Sequence, residues 1–411
     1  MAIFYNTSIV RNGLIVHYDA ANTKSYVYRE NLLTYSQQFT NAAWSANTIT
    51  AASTSTLAPD GSPTANYLVP TVANSFHQIN NTVTLNSGTT YTYSLYVKPA
   101  GYSYVFTSIY NGTSGNVANQ KFNLVNGTVD TFWTGATGTP SINLDSNGWY
   151  RIAMTVTIPA SGSYGTYIRV DNTTGTNYIF TADGVSGLNV WGAQLQQSPY
   201  LGKYVATTAT TITPSTTWID ISGQSRNGTQ NNPPIVYNPA NQGCMQYNGF
   251  NNYTDLGINV YNLGIRRNAT FSGWIYPTST GASYVISDWN GLGMTLRTNS
   301  DVSADFYVYG ATSAPRITYV YPFTPNKWYN LVAVMSGDTM YMYVNGVSSG
   351  LTQPLTEDIG SSPSTLKIGG RGDGAAWGSG HSQANLMIYN RALSAAEVNQ
   401  NFQAQRDRYG V

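Results

Sequence analysis

The chain alternates apolar and polar residues with a period of two, in short runs separated by Gly, Asn, Pro and Ser. Examples are TYTYSLYVKP (90–99), WYRIAMTVTIP (149–159), WYNLVAVMSG (328–337) and TMYMYVNG (339–346). Successive side chains of a β-strand point to opposite faces, so this period predicts strands with one buried face. Short strands joined by turns at this spacing predict an all-β chain built from two β-sandwiches of the jelly-roll type.

The composition supports strands and excludes two classes of partner. Only 9% of the residues are charged, the net charge is +1, and there are 33 tyrosines. Tyrosine, threonine and valine suit pleated surfaces, whereas the helix-favouring Glu and Lys are scarce. No basic stretch could follow a phosphate backbone, and no apolar run could span a bilayer. The sequence therefore predicts no nucleic acid or membrane partner, and without a visible signal peptide it predicts synthesis in the cytoplasm.

The C-terminal segment departs from the strand pattern. Ser394 and Glu397 have the spacing of a capping box, which predicts a short helix that begins at Ala395. Val398 and Phe402 would lie on one face of this helix and dock on a sandwich. The single cysteine, Cys244, excludes an internal disulfide and is predicted to be a small buried core residue.

Several segments resemble a known family. KWYNLVAVMSGDTMYMYVNG (327–346), LKIGG (366–370) and LMIYNRALSAAEVNQNF (386–402) resemble the laminin-G or concanavalin-A-like jelly roll of bacteriophage structural proteins. The resemblance extends to NGLIVHYDAANTKSY (12–26) and to TWIDISGQSRNGT (217–229). In that family these two segments are nearly adjacent, but here about 190 residues separate them.

The intervening residues resemble a second family, a carbohydrate-binding-like sandwich of phage tail and virion proteins. ENLLTYSQQFTNAAWSA (30–46), NGWYRIAMTV (147–156) and SGLNVWGAQLQQSPY (186–200) carry this resemblance. The sequence thus predicts that one sandwich is inserted into a loop of the other, since an exposed turn can carry a guest domain. The predicted domains are residues 1–27 with 206–411 for the laminin-G-like sandwich and 28–205 for the inserted one.

The sequence predicts no enzyme and no catalytic residue. Glycoside hydrolysis needs two carboxyl groups that face one glycosidic bond. The three glutamates are Glu30 near a domain joint, Glu357 in a loop and Glu397 in the capping box, and none of them forms a pair along one strand. A dyad of aspartates from distant loops stays open as an alternative. His17, His77 and His381 are isolated and are predicted to be structural.

Glycan binding fits the residues better than catalysis does. Sugar sites pair an exposed aromatic ring with amides and hydroxyls, because sugars have apolar C–H faces and many hydroxyl groups. The candidates are Trp289 and Asn290 in SDWNG, Tyr253 in FNNYTD and Trp377 in a Gly-rich loop. Burial in the core is the alternative for each aromatic ring, and the Gly-rich setting favours exposure of Trp377.

The laminin-G resemblance also implies that calcium can bind to loop carboxylates. Asn248 and Asn252 stand where the family has aspartates, which weakens that implication. The candidate ligands are Asp19, Asp220, Asp255 and Asp373.

The two resemblances together imply a virion protein, made in the bacterial host. As a tail-fibre, appendage or head-decoration component it would contact other virion proteins and a glycan on the host surface. Two alternatives stay open: a purely structural decoration protein that makes protein–protein contacts, and a glycan depolymerase. Homo-oligomers are compatible with the sequence, although it has no heptad or collagen-like repeat that would form a stalk.

Overall fold

The structure is a computed structural model that describes residues 8–130, 138–172, 179–232, 235–299, 303–374 and 378–411. The regular structure of these residues is almost entirely β, which confirms the all-β prediction. The chain forms two compact units. We call the residues up to Val27 together with Ser215–Val411 the host unit, and Tyr28–Pro214 the inserted unit.

The host unit contributes the first strand and the inserted unit the next fourteen. Strand β1 is Leu14–Asp19. The strands of the inserted unit are β2 (Trp44–Asn47), β3 (Ile49–Ser53), β4 (Asn66–Pro70), β5 (Asn74–Ser75), β6 (His77–Leu85), β7 (Thr90–Ala100), β8 (Tyr104–Asn111), β9 (Gly115–Asn123), β10 (Thr128–Asp130), β11 (Thr139–Leu144), β12 (Tyr150–Thr157), β13 (Gly162–Asp171), β14 (Phe180–Thr181) and β15 (Gly187–Gln196).

Two antiparallel six-stranded sheets form the inserted sandwich. One has the order β10-β9-β8-β13-β6-β2 and the other β11-β12-β7-β15-β4-β3, while β5 and β14 pair separately. Alternate residues of each strand enter a shared apolar core, as Ile168 and Val170 do from β13 and Leu95 and Val97 do from β7. The other residues of these strands form the outer faces of the sheets.

The remaining strands and two short helices belong to the host unit. They are β16 (Thr217–Trp218), β17 (Gly228–Asn231), β18 (Val236–Asn238), β19 (Cys244–Tyr247), β20 (Tyr253–Asp255), β21 (Asn268–Pro277), β22 (Tyr284–Ser287), β23 (Gly293–Asn299), β24 (Ser303–Tyr309), β25 (Arg316–Val320), β26 (Tyr329–Ser336), β27 (Thr339–Val344), β28 (Val347–Pro354), β29 (Lys367–Ile368), β30 (His381–Tyr389), α1 (Ala395–Gln403) and α2 (Arg406–Tyr409). Neither described helix is long and apolar enough to cross a membrane.

Two eight-stranded sheets form the host sandwich. The first has the order β18-β19-β30-β21-β26-β27-β28, with β1 also paired to β30, and the second has the order β16-β17-β20-β29-β22-β23-β24-β25. Strand β1 runs antiparallel to β30, with Asp19 opposite Asn385. The N-terminal strand is therefore part of a sheet whose other strands all follow the insertion.

The two ends of the host unit meet where the insertion leaves it. The Ile219 amide donates to the Ser25 carbonyl at 2.8 Å, and the Tyr26 hydroxyl donates to the Ser215 carbonyl at 3.3 Å. Guest domains are tolerated at such sites because the host chain needs to bridge only a short gap.

The segment that follows Val205 still belongs to the inserted unit, although the sequence predicts that it belongs to the host unit. Asn31 and Ile212 exchange backbone hydrogen bonds, and the Tyr35 amide donates to the Thr208 carbonyl at 2.7 Å. The structural division thus follows Pro214, whereas the sequence places the joint at Val205.

Helix α1 begins at Ala395, as the capping box predicts. The Ser394 side chain accepts from the Glu397 amide, and the Glu397 carboxylate accepts from the Ser394 amide. Val398 and Phe402 are buried, and Cys244 is a buried free thiol, so all three packing predictions are confirmed.

Candidate functional site

Three of the four predicted glycan-binding residues lie on or next to the two neighbours of β29 in the second host sheet. Strand β29 lies between β20 and β22 there, since Lys367 is opposite both Asp255 and Ser287. Tyr253 begins β20, while Trp289 and Asn290 follow β22. The fourth candidate, Trp377, lies outside the described residues.

The loop after β29 contacts both Tyr253 and Trp289. A Cβ atom on Gly372 would lie 2.3 Å from the Trp289 amide nitrogen, so this position requires glycine. A Cβ atom on Gly370 would lie 3.1 Å from that of Tyr253. The loop therefore packs against both residues, and at Gly372 a Cβ atom would overlap the Trp289 backbone.

Trp289 borders a cleft on the outer face of the second host sheet, which we call the Trp289 cleft. The cleft encloses about 110 Å³. Its lining residues come from β22, β23, β24, the loop after β22 and the loop after β29: Tyr284, Trp289, Thr295, Arg297, Tyr307, Tyr309 and Arg371. Alternation brings Tyr307 and Tyr309 to the same face of β24, where their rings stack at 5.6 Å.

Cationic side chains lie against the aromatic rings of the Trp289 cleft. The Arg371 guanidinium lies 4.7 Å from the Trp289 ring centroid and donates to the Asp373 carboxylate at 2.7 Å. The Arg297 guanidinium lies 5.5 Å from the Tyr307 ring centroid. Such cation–π contacts contribute about 0.5–1 kcal/mol at exposed sites and hold both partners in place.

A buried carboxylate fixes two arginines beside the cleft. Asp305 is fully buried and accepts from Arg297 at 3.2 Å and from Arg316 at 2.8 Å. Tyrosine is neutral at physiological pH and burial raises the pKa of Tyr309 further, to about 12, so its hydroxyl group can donate a hydrogen bond. The cleft thus combines flat apolar rings with fixed donors.

The Trp289 indole has an unused donor. Its Nε1 is buried and has no hydrogen-bond partner among the residues that the structure describes. A buried donor without a partner is costly, and such groups commonly mark a position where a ligand or water accepts the hydrogen bond. Asn290 is exposed beside it and donates to the Ser364 hydroxyl at 3.1 Å.

The candidate calcium ligands are engaged by protein donors. Asp220 accepts from the backbone amides of His17 and Ser222, both at 2.9 Å. Asp19 pairs with Arg408 at 2.7 Å, and Asp373 pairs with Arg371.

Asp255 likewise accepts from the Gly257 amide at 2.8 Å. Within the described ranges, no three His, Cys, Asp or Glu side chains form a group that could hold a metal ion. The residues present therefore do not fit a calcium site, which requires several oxygen ligands directed at one point.

The sequence did not predict six residues that line the Trp289 cleft: Tyr284, Thr295, Arg297, Tyr307, Tyr309 and Arg371. The signal that could have identified two of them is the Tyr-Val-Tyr alternation at the end of β24, which places both rings on one face. Arg297 and Tyr284 become neighbours only because β22 pairs with β23.

A match to one family model agrees with the fold of the host unit. Residues 248–399 match the family model of the concanavalin A-like lectin/glucanases superfamily. This lectin-like region contains Trp289, the lining strands β22 to β24 and the Gly370–Gly372 loop. No curated protein gave a match to the chain.

Solved structures that align with the chain include binding domains of botulinum neurotoxins. The serotype D domain is 15% identical with a TM-score of 0.35, and the alignment covers 46% of this chain and 49% of that one. A serotype G domain is 16% identical with a TM-score of 0.37, covering 46% and 48%. The chain thus spans about half the length of these structures, and they carry no functional inference.

Proposed function

We propose that this protein is a non-enzymatic bacteriophage virion component that attaches to glycans on the host surface through the Trp289 cleft. The unpartnered Trp289 Nε1 among stacked tyrosines and fixed arginines carries the glycan part of this proposal. Sugar rings stack on such aromatic faces, and their hydroxyls pair with guanidinium and phenol groups. The lectin-like superfamily match supports the same activity.

The virion part of the proposal rests on the sequence resemblances. Segments of the host unit and segments of the inserted unit both resemble sandwiches of phage structural proteins. Other virion proteins are accordingly the proposed protein partners. Immunogold labelling of intact particles tests this part, and a particle that lacks the protein would contradict it.

The glycan part is tested with the purified full-length chain on an array of bacterial surface polysaccharides, followed by calorimetry with each oligosaccharide that binds. We expect Trp289→Ala to weaken binding at least tenfold, about 1.4 kcal/mol, because the stacking face and the free indole donor are both lost. Phe250→Ala is the matched control, since Phe250 is an aromatic residue of the same unit that is 66% exposed. Equal affinities for the wild type and Trp289→Ala would contradict the assignment of the cleft.

The same samples distinguish the two alternative functions. Steady release of reducing ends from a bound polysaccharide would favour a depolymerase. We expect none, because the glutamates serve structural contacts: Glu397 caps α1, Glu357 accepts from the Thr312 amide at 3.0 Å, and Glu30 accepts from the Gln197 amide at 2.7 Å. Tight attachment to particles without any glycan binding would favour a decoration protein.

A further inference from the structure

The inserted unit has a cleft of its own on an outer sheet face. It encloses about 380 Å³ on the sheet that contains β6, β8 and β13, and we call it the Tyr167 cleft. Ile168 and Val170 of β13 enter the core, so Tyr167 and Arg169 point to the opposite, outer face. The residues on which the argument rests are Phe76, Gln78, Phe106, Tyr110, Tyr167 and Arg169.

A glycine allows the Tyr167 ring to lie flat on the sheet. A Cβ atom on Gly165, two residues earlier on the same face, would lie 2.4 Å from Cε2 of Tyr167. The ring therefore covers the backbone at a position without a side chain. Tyr110 stands against it edge-on, with ring centroids 6.1 Å apart and an interplanar angle of 79°. A flat ring with an upright ring beside it provides a platform and a wall for a sugar ring.

Arg169 is held in a fixed position next to this platform. Its Nε and Nη2 donate to the Gln78 amide oxygen at 3.1 and 2.6 Å. The guanidinium lies 4.8 Å from the Phe106 ring centroid and 5.3 Å from that of Phe76. Two rings and an amide thus orient the guanidinium before a ligand arrives, which lowers the entropic cost of binding.

Arg169 provides the positive charge of the Tyr167 cleft. Of the described lining residues, Arg169 alone is charged. Lys121 and Asp171 on the same face are both fully buried and neutralise each other at 2.7 Å. Asp130 lies on the edge strand β10 opposite Lys121, and strands β9 and β8 separate it from β13. A fixed guanidinium in an otherwise uncharged cleft favours a carboxylate, which it can bind through two parallel hydrogen bonds.

We infer that the Tyr167 cleft binds an acidic saccharide, with a sugar ring on Tyr167 and its carboxylate at Arg169. This site is independent of the Trp289 cleft, because its residues belong to the other unit. A chain with two saccharide sites gains affinity for a polymeric glycan whenever both can be occupied at once.

The test uses the full chain and oligosaccharides of galacturonate, mannuronate and glucuronate, each compared by calorimetry with its carboxyl-reduced, neutral form. We expect at least one acidic oligosaccharide to bind at least tenfold more tightly than its neutral counterpart. Arg169→Gln should remove this preference, whereas Lys203→Gln, which removes the same charge from an exposed position of the inserted unit, should retain it. Trp289→Ala should leave the preference unchanged.

A second variant keeps the test decisive if Arg169→Gln fails to fold. Tyr110 is 38% exposed at the rim of the cleft, so Tyr110→Ala should fold normally and still weaken binding several-fold. The inference is overturned if no acidic oligosaccharide binds, if neutral and acidic forms bind equally, or if folded Arg169→Gln and Tyr110→Ala both bind like the wild type. Failure of the Trp289 cleft to bind glycans would not produce any of these results.

Discussion

His17, His381 and Asp288 are buried in the host unit and couple its stability to pH. Burial lowers the pKa of both histidines from 6.5 to about 4, and it raises the pKa of Asp288 from 3.8 to about 6. Below about pH 6.5 the unfolded chain binds a proton on each histidine that the folded chain excludes until near pH 4, so acidification destabilises the fold. Asp288 has the opposite effect between pH 6 and 3.8, because in this range the folded chain binds a proton at Asp288 that the unfolded chain does not. The effect of the two histidines together exceeds that of this one carboxyl group.

We therefore expect the free energy of unfolding of the host unit to fall as the pH decreases from 6.5 to 4. His381→Gln should make this fall shallower, by up to about 1.4 kcal/mol per pH unit, because one of the two excluded protons is removed. Urea unfolding at several pH values within this window measures the slope. Parallel curves for the wild type and the variant would contradict the assignment to His381.

At the scale of elements, helix α1 is held by its packing as well as by its cap. The Phe402 ring stacks on Trp274 of β21 with centroids 5.8 Å apart, and Tyr409 of α2 stacks on the same indole at 4.0 Å. A Cβ atom on Gly346, in the turn between β27 and β28, would lie 2.8 Å from the Phe402 ring. The two helices thus cover the outer face of the first host sheet.

Packing should contribute more to the stability of helix α1 than capping does. We expect Phe402→Ala to lower the free energy of unfolding of the host unit by about 3–5 kcal/mol, the usual loss for a truncated buried aromatic residue. Ser394→Ala should cost only about 1 kcal/mol, since it removes one capping interaction. Chemical denaturation of both variants gives the comparison. A larger loss for Ser394→Ala would show that the cap, and not the docking, stabilises the helix.

At the scale of the whole molecule, the host unit is made from two separated parts of the chain. β1 supplies a strand to a sheet formed otherwise by residues after the insertion, and the hydrogen bonds of Ser25 and Tyr26 bring the two parts together. Loop closure depends only weakly on loop length, so we expect the host core to form without the inserted unit.

Replacing residues 28–214 with a short Gly/Ser linker should therefore leave a soluble host unit that unfolds cooperatively. A chain that starts at Ser215 is the matched comparison. It lacks β1 and exposes an edge of β30, so we expect it to aggregate. Size-exclusion chromatography and thermal unfolding distinguish the two outcomes, and a stable monomer from Ser215 onwards would contradict the split host unit.

The local patterns of the sequence determine the elements and the class of fold. Alternation with period two predicts the strands and shows that Tyr307 and Tyr309 share a face, and the capping box predicts the first residue of α1. These features depend on residues a few positions apart, where strand geometry and capping act without help from the rest of the chain. The same patterns cannot show which strands are neighbours.

The tertiary structure determines which residues from distant parts of the chain become neighbours. Trp289 meets Arg371 because β29 pairs with β22, and Arg169 meets Phe106 because β13 pairs with β8. The laminin-G resemblance makes Asp19 a candidate calcium ligand, yet in the structure Asp19 pairs with Arg408 from the far end of the chain. Strand order and register depend on packing between residues far apart in sequence, and no local pattern encodes that packing.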